Sequence, residues 1–348
     1  RRGGGRPKIA GGQGRLSVVV SLTIAHHLAD VPVAGWEDLY GRGPRSSPFL
    51  SPRFLLPWHR ALGRGCDVRV ARWAPGGGPD EGLLFLCRSG EGGWTFLGGE
   101  RVADYLDALV APAHAEAFWR EFLERGLPAL GGGPLRLPGL VEGTPALSLL
   151  PSICRERGLS CSVEEMDRAP FVSLPGSFEE YLERLGRKER HELRRKMRRA
   201  GELLPGLAFR VTRTPGELAN DLPSFVELHR KSHPAKEAFM DEAMATFFRE
   251  VAEGFLASGR LRLAFLSTQG VDVASVFQLR TDGALLLYNS GYDPAHREAN
   301  PGIVLIARSI GQAVDEGCAE YDFLRGMERY KYDLGGVDRV VHRLTVSA

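Results

Sequence analysis

The stretch NPGIVLIARSIGQAVDEG (residues 300–317) decides the fold. Asn300 is a residue type that favours the position before a helix, and Pro301 suits the first helical position because it has no N–H to leave unbonded. Apolar residues then recur at helical spacing, at Ile303, Ala307, Ile310 and Val314. The stretch therefore predicts a well-capped structural helix, with a pyrophosphate site at its first-turn N–H groups as the alternative.

A polar and aromatic stretch, YDFLRGMERYKYDLGG (residues 321–336), follows shortly afterwards. Its first residues end a predicted strand at 319–324, and open α/β sheets bind ligands beyond the carboxyl ends of their strands. Lys331 is one of only six lysines, and it stands between Tyr330 and Tyr332. These residues predict a ligand site, with a surface loop or a structural ion pair as the alternative.

Around these stretches the hydrophobic pattern predicts two halves that each combine strands with helices. In the first half it predicts a loop with a short helix at 44–58, strands at 16–25, 67–73, 82–88, 94–97, 135–137 and 161–164, and helices at 101–110, 113–125 and 144–158. A strand at 166–174 crosses to the second half. There the pattern predicts helices at 187–199, 215–231, 239–257 and 301–317, and strands at 207–212, 261–267, 271–280, 284–290, 319–324 and 339–346.

One more helix of the second half begins at Ser177, because Glu180 three residues later completes a capping-box pattern. The repeated plan predicts a mixed α/β fold, in which each half is a twisted mixed sheet flanked by helices. We expect a flexible basic tail at 1–15, an N-terminal domain at 16–170 and a C-terminal domain at 171–348.

Length and composition agree with this plan. The chain has 348 residues, of which 43% are hydrophobic and 25% charged, and such values exclude a disordered, collagenous or coiled-coil protein. The five cysteines are scattered without a C-x-x-C motif, which predicts neither a disulfide framework nor a zinc site and favours the cytoplasm. A signal peptide near the N terminus is the alternative, and no apolar run is long enough to predict membrane insertion.

The net charge of +2 is unevenly distributed. The predicted helix 187–199 carries eight basic and two acidic residues, so the rest of the chain is net negative. A solvated helix face is the ordinary interpretation. An anionic partner at this helix, such as RNA, a lipid headgroup or a cofactor phosphate, is the alternative, although no interleaved aromatic residues favour nucleic acid.

Several common motifs are absent. The chain contains no G-x-x-x-x-G-K-[ST], G-x-G-x-x-G, G-x-S-x-G or H-E-x-x-H sequence. His229 and His233 are four residues apart, but Arg230 stands where a metalloprotease has Glu, and Pro234 follows at once. No metal site is therefore predicted.

Taken together, the two C-terminal stretches resemble a bacterial acyltransferase family of the GNAT superfamily. Members of this family are associated with cellulose and exopolysaccharide biosynthesis, and the family is related to the peptidoglycan-bridge (FemABX-type) aminoacyltransferases. The resemblance extends, in the same order along the chain, to GWEDLY (35–40), SPFLSPRFLLPWHRAL (47–62), TFLGGERVADYLDAL (95–109), RKERHELRRKMRRA (187–200) and FVELHRKSH (225–233). It implies tandem GNAT-like domains, with an acyl-CoA cleft between two splayed strands of the second.

The resemblance also implies the roles of particular residues. It implies acetyl-CoA or a longer acyl-CoA as the donor, bound by Tyr288, Asn289, Arg297, Asn300, Gly302 and Ile303. Tyr330, with Tyr332 as second choice, is expected to protonate the departing thiolate. Asp322 is expected to orient or deprotonate the acceptor, and Lys331 to hold an anionic group.

The expected function is transfer of an acyl group to an amine or hydroxyl of a small molecule or polysaccharide precursor, directly within a ternary complex. Two alternatives remain open. One is an aminoacyl transferase that uses charged tRNA, whose phosphates the basic helix would bind. The other is a catalytically silent GNAT-like module that binds a partner in polysaccharide assembly.

Overall fold

The computed structural model describes residues 21–42, 47–88, 90 and 92–347. The predicted basic tail at 1–15, and the first part of the strand predicted at 16–25, lie outside this range. The strands are β1 Leu22–Ala25, β2 Val68–Trp73, β3 Gly82–Arg88, β4 Trp94–Phe96, β5 Leu109–Val110, β6 Leu135–Val141, β7 Ser160–Ser173, β8 Ala208–Val211, β9 Leu261–Thr268, β10 Val271–Arg280, β11 Ala284–Tyr292, β12 Glu320–Asp322 and β13 Val337–Ser347.

Helices cover both faces of these strands. They are α1 Val33–Arg42, α2 Pro52–Ala61, α3 Pro112–Glu121, α4 Leu127–Ala129, α5 Pro145–Glu156, α6 Phe178–Arg184, α7 Arg187–Leu203, α8 Pro215–Ser232, α9 Pro234–Phe239, α10 Glu242–Ala257, α11 Pro301–Asp315 and α12 Arg329–Asp333. A π-helical turn, Phe122–Gly126, separates α3 from α4. No helix in the described ranges has both the length and the apolar character needed to cross a bilayer.

The strands form one mixed sheet, in the order β1-β2-β3-β4-β6-β13-β7-β12-β11-β10-β9-β8, with β5 paired to β3. The predicted class, a large mixed sheet flanked by helices, is confirmed. Strand β13 lies between β6 and β7 and is antiparallel to both. The two halves thus share one sheet, and the predicted boundary near residue 170 falls inside β7. The division into two domains stays a prediction.

Two hydrophobic clusters sandwich the C-terminal half of the sheet. On one face, α8 and α10 pack through aromatic rings, and Phe248 lies edge-on to Phe277 of β10 at 5.1 Å. The same cluster continues into the first half, where Phe54 of α2 meets Phe247 at 5.2 Å. On the other face, α11 buries Ile306 and Ile310 in the second cluster.

The prediction of a helix at 101–110 is wrong. Residues 101–108 form an irregular segment that leads into β5. Tyr105 adopts a left-handed backbone conformation, and Asp104 and Asp107 are buried. Tertiary hydrogen bonds to Arg325 and Asp322 hold this segment, and they outweigh its helical pattern.

Two smaller predictions also need correction. The strands predicted at 161–164 and 166–174 are one continuous strand, β7, because β13 pairs along its whole length. The helix predicted at 239–257 begins only at Glu242, where the Asp241 carboxylate accepts a hydrogen bond from Met244 N–H at 2.8 Å. The predicted start at Ser177 is confirmed, since its hydroxyl accepts the N–H of Glu180 at 3.1 Å.

Candidate functional site

A gap opens in the sheet between β11 and β12. The two strands pair in parallel only from Ala284 to Leu286, opposite Glu320 to Asp322. Beyond that point β11 continues to Tyr292, whereas the chain after β12 follows β7, with Gly326 N–H bonded to the Arg168 carbonyl. The remaining part of β11 therefore has an open edge, and the loop 323–328 forms the other wall of the gap.

The register of β10 and β11 shows which backbone groups face this gap. Asp293 N–H donates to the Val273 carbonyl at 2.9 Å, and the adjacent pairs run without a shift to Phe277 opposite Asn289. In an antiparallel ladder, hydrogen-bonded and non-hydrogen-bonded pairs alternate. Ser290 and Tyr292 occupy the non-bonded positions, so their N–H and C=O groups point away from β10 and into the gap.

A β-bulge at Tyr288 lies where the two strands separate. The bulge puts Tyr288 and Asn289 on the same face of the sheet. The Tyr288 ring stacks on Phe248 at 5.4 Å, and its hydroxyl donates to the Val102 carbonyl at 2.8 Å. Burial raises the pKa of the Tyr288 hydroxyl well above its ordinary value. The Tyr288 side chain therefore anchors the strand to the first half and does not enter the gap.

Asn289 fixes a buried histidine of α8. Its Oδ1 lies 2.9 Å from Nε2 of His229, and we assign the ring proton to Nε2 because Oδ1 can only accept. Gly291 lets α8 approach this closely, since a Cβ there would lie 2.4 Å from the backbone nitrogen of His229. Nδ1 of His229 is buried without a hydrogen-bond partner among the described residues. Burial, together with the charge of Lys236, lowers the pKa of His229 to about 4.

This histidine predicts a pH dependence of stability. Because the folded pKa lies below the ordinary value of 6.5, the unfolded chain binds the proton first as pH falls. The free energy of unfolding should therefore drop between pH 7 and pH 4, by up to about 3 kcal/mol from this residue. Urea titrations at several pH values should show a smaller drop in His229→Gln. An identical pH dependence in both proteins would contradict the assignment.

The predicted cap of α11 needs correction. Asn300 lies in the left-handed region (φ 52°), and its side chain donates to the Glu298 carbonyl at 3.2 Å instead of capping the helix. This happens because Asn300 also ends the 3₁₀ turn Pro294–Ala299, its N–H donating to the Arg297 carbonyl at 3.1 Å. Within the described ranges, the N–H groups of Gly302 and Ile303 have no acceptor. The helix start is thus more open to an anion than a capped helix would be.

The residues around the start of α11 lie close to the open edge of β11. Gly302 faces the ring of Tyr292, and a Cβ at Gly302 would meet that ring at an ordinary contact distance of 3.6 Å. Arg297 is exposed on the preceding turn. The structure therefore brings Asn300, Gly302 and Ile303 to the end of the gap, with Arg297 nearby.

Asp322, the predicted base, is buried and accepts hydrogen bonds at both carboxylate oxygens. Its Oδ1 accepts hydrogen bonds from the Tyr105 hydroxyl at 2.9 Å and from Leu324 N–H at 2.7 Å. Its Oδ2 accepts a hydrogen bond from Arg339 at 3.0 Å. The carboxylate links β12, β13 and the segment 101–108.

Lys331, predicted to hold an anionic group, is also committed to internal contacts. It is 2% exposed, and its ammonium donates to the carbonyls of Leu324, Arg325 and Gly326 at 3.1, 2.7 and 3.1 Å. Glu328 lies 3.0 Å from the same nitrogen. The lysine thereby fixes the turn that forms one wall of the gap.

The neighbouring Tyr330 and Tyr332 differ in the hydrogen bonding of their hydroxyl groups. The Tyr332 hydroxyl donates to Asp338 at 2.8 Å on the surface. Tyr330 is half-buried, with its ring edge-on to Phe323 at 6.3 Å, and its hydroxyl makes no hydrogen bond with the described part of the chain. Burial raises the pKa of Tyr330, so the phenol keeps its proton at neutral pH. Of the four residues predicted to be catalytic, Tyr330 is the one with an uncommitted functional group.

Lys236 also lies at this site, although no sequence pattern had predicted it. This residue of α9 donates from its ammonium to the Ser290 carbonyl at 2.5 Å. Since that carbonyl points into the gap, the lysine side chain lies there as well. The scarcity of lysine was a usable signal, but only the packing of α9 against β11 brings this lysine to the open edge.

The basic helix 187–199 corresponds to the greater part of α7. Several of its charges are neutralised, because Arg194 pairs with Glu179, Arg195 with Glu192 and Arg199 with Glu298. A surface depression of ≈ 590 Å³ at its N-terminal end is lined by Arg187, Lys188, Arg190, His191 and Arg194. An anionic partner at this helix stays a prediction. No group of three or more His, Cys, Asp or Glu side chains suited to a metal occurs in the described ranges.

Comparison with known proteins agrees with this geometry. Residues 187–332 match the sequence profile described as an acetyltransferase (GNAT) domain. The prediction of an acyltransferase enzyme is confirmed at this level. No curated protein matches the chain in sequence.

Solved structures extend the likeness to nearly the whole chain, at the level of the fold. The crystal structure of FemX is similar with a TM-score of 0.63 and 10% identity, covering 92% of this chain and 96% of that one. The C-terminal domain of a putative lysylphosphatidylglycerol synthetase from Agrobacterium fabrum follows at 0.57 and 12% identity, covering 91% of each chain. A tandem GNAT protein from the clavulanic acid biosynthesis pathway is similar with a TM-score of 0.50 and 16% identity, covering 94% of this chain and 99% of that one. The predicted tandem GNAT architecture is confirmed.

Proposed function

We propose that this protein transfers an acyl group from acyl-CoA to an amine or hydroxyl of a small molecule or polysaccharide precursor. The observation that carries the proposal is the gap between β11 and β12. The N–H groups of Ser290 and Tyr292 and the C=O group of Tyr292 line the gap, and the uncapped N–H groups of Gly302 and Ile303 follow at its end. The cytoplasm, where acyl-CoA is made, is the proposed location.

The residues at the gap fit the two chemical parts of coenzyme A. The pantetheine arm carries amides, which can continue the hydrogen bonding of a strand edge at Ser290 and Tyr292. The diphosphate is an anion, which suits the positive end of the α11 dipole and its two free N–H groups, with Arg297 adding positive charge. The backbone of Asn300 contributes by holding this turn in the left-handed conformation.

The chain's own groups would contribute to transfer in three ways. The gap holds the thioester and the acceptor together, which replaces an encounter in solution by an oriented one. A backbone N–H at the open edge stabilises the oxyanion that forms on attack. The Tyr330 phenol, which retains its proton and makes no hydrogen bond within the described ranges, protonates the departing thiolate. Asp322, Lys331 and Tyr332 act as positioning residues for the loop 323–328 and for α12, which carries Tyr330.

Calorimetric titration with coenzyme A and acetyl-CoA tests this proposal. Gly302→Asp places a carboxylate at the diphosphate position, and we expect the dissociation constant to rise about tenfold or more. The variant should fold, because an acidic residue in the first turn favours the helix. Gly216→Asp is a matched control, since Gly216 also follows a proline at the start of a helix, α8, with nothing within 4 Å of its added Cβ.

The outcomes distinguish the alternatives. Absence of binding by any coenzyme A species would overturn the proposed donor. Equal weakening by both aspartate variants would show that the diphosphate does not bind at α11. Binding of charged tRNA in place of coenzyme A, with an affinity that falls steeply as salt rises, would favour the tRNA-dependent transferase. That alternative draws on the fold likeness to FemX and on Arg187 and Lys188, which line the surface depression at the N-terminal end of α7.

A further inference from the structure

Lys236 lies in the gap, beside the backbone that the proposed donor would contact. It belongs to α9, which packs next to α8, and its ammonium reaches the Ser290 carbonyl at 2.5 Å. That carbonyl is one of the groups at the open edge of β11. No other lysine of the described ranges contacts the open part of this strand edge.

The charge environment of Lys236 separates it from the other lysines. No carboxylate in the described ranges lies within 4.0 Å of it, whereas Lys231, five residues earlier on α8, pairs with Glu227 at 2.7 Å. The titratable groups that face Lys236 are His229, which is neutral, and Glu328, which already pairs with Lys331 at 3.0 Å. Burial lowers the pKa of Lys236, while Glu227 raises the pKa of Lys231.

We propose that Lys236 is a self-acylation site, which takes the acyl group of bound acyl-CoA when no acceptor occupies the gap. This inference rests on the proposed function. Lys236 first releases one proton to solvent. Its neutral amine then attacks the thioester carbon, the carbon–sulfur bond breaks, and an amide bond forms on Nζ. The amine proton passes to the departing thiolate, so the products are acyl-lysine and free coenzyme A.

Acylation of Lys236 would inhibit acyl transfer at the site. The amide nitrogen keeps one N–H for the Ser290 carbonyl but loses the positive charge. The acyl group attached to it would occupy the gap beside the open edge of β11, where an acceptor has to approach the thioester. An enzyme without acceptor would thus inactivate itself rather than hydrolyse its donor.

Mass spectrometry after incubation with acetyl-CoA tests this inference. We expect one acetyl group per chain, mapped by peptide sequencing to Lys236, with occupancy about tenfold or more above that of Lys231 and Lys188. The same incubation with unfolded protein gives the background for chemical acetylation. Gly302→Asp should lower the occupancy at Lys236 and leave Lys231 unchanged, and Lys236→Arg should remove the specific product.

The failure of this inference is distinguishable from failure of the proposed function. If calorimetry shows coenzyme A binding while Lys236 is acetylated no more than Lys231, the inference is overturned and the donor assignment stands. If no coenzyme A species binds, both are overturned. Acetylation of Lys236 that is equally fast in the unfolded chain would also overturn the inference, because it would owe nothing to the gap.

Discussion

Replacing Asp322 by alanine is expected to lower the free energy of unfolding by about 3–5 kcal/mol. The change removes the acceptor of three internal hydrogen bonds, and it leaves the Arg339 guanidinium, 19% exposed, with Glu320 as its remaining carboxylate partner. The Tyr105 hydroxyl would also be left buried without its partner. Urea denaturation followed by circular dichroism measures the loss.

Asp333→Ala is the matched control for this substitution. Asp333 pairs with Arg329 at 3.2 Å, but its side chain is 43% exposed, so its loss should change stability by less than about 0.5 kcal/mol. The opposite pattern would be informative. An Asp322→Ala protein with normal stability and no acyl transfer would return Asp322 to the role of base that the sequence analysis expected.

Lys331→Met should lower the free energy of unfolding by a comparable amount, about 3–4 kcal/mol. Methionine preserves much of the apolar stem, but three carbonyls in the turn 324–326 lose their donor in a buried place. Leu324 adopts a left-handed backbone conformation (φ 56°) in this turn, which needs external support. Thermal and urea denaturation should both report the loss.

Lys231→Met provides the comparison for Lys331. Lys231 is a surface lysine with side-chain exposure of 47%, and its helical ion pair with Glu227 contributes at most about 0.5 kcal/mol. If Lys331→Met were as stable as Lys231→Met, the proposal that Lys331 fixes the turn 324–326 would be wrong. An anionic substrate group as the partner of Lys331 would then deserve renewed testing.

The elements that local pattern governs could be predicted from the sequence. The α11 stretch combines helical spacing with Asn-Pro-Gly, and β10 and β11 are alternating or apolar runs, so their bounds were predicted within a few residues. The segment 101–108 also shows helical spacing, yet it is irregular, because Asp104 and Tyr105 have partners more than 200 residues away. Partners at such distances leave no trace in local spacing.

The same limit applies to the candidate site. The stretch 321–336 was correctly expected to lie at the strand end, but composition could not tell which polar groups are uncommitted. Asp322 accepts a hydrogen bond from Leu324 N–H and Lys331 donates to the Arg325 carbonyl. Lys236, in contrast, donates to the Ser290 carbonyl at the open edge of β11. That distinction depends on the packing of α9 and of the first half against β11 and β12.

The position of β13 has a consequence for how the chain is made. This strand fills the place between β6 and β7, so the sheet of the first half stays incomplete until residues 337–347 have left the ribosome. Until then β6 and β7 each expose an unpaired edge, which is a template for intermolecular pairing. During this interval the nascent protein depends on chaperones to protect these edges. The yield of the protein in the cell should therefore depend more on chaperone supply than on the stability of the folded state.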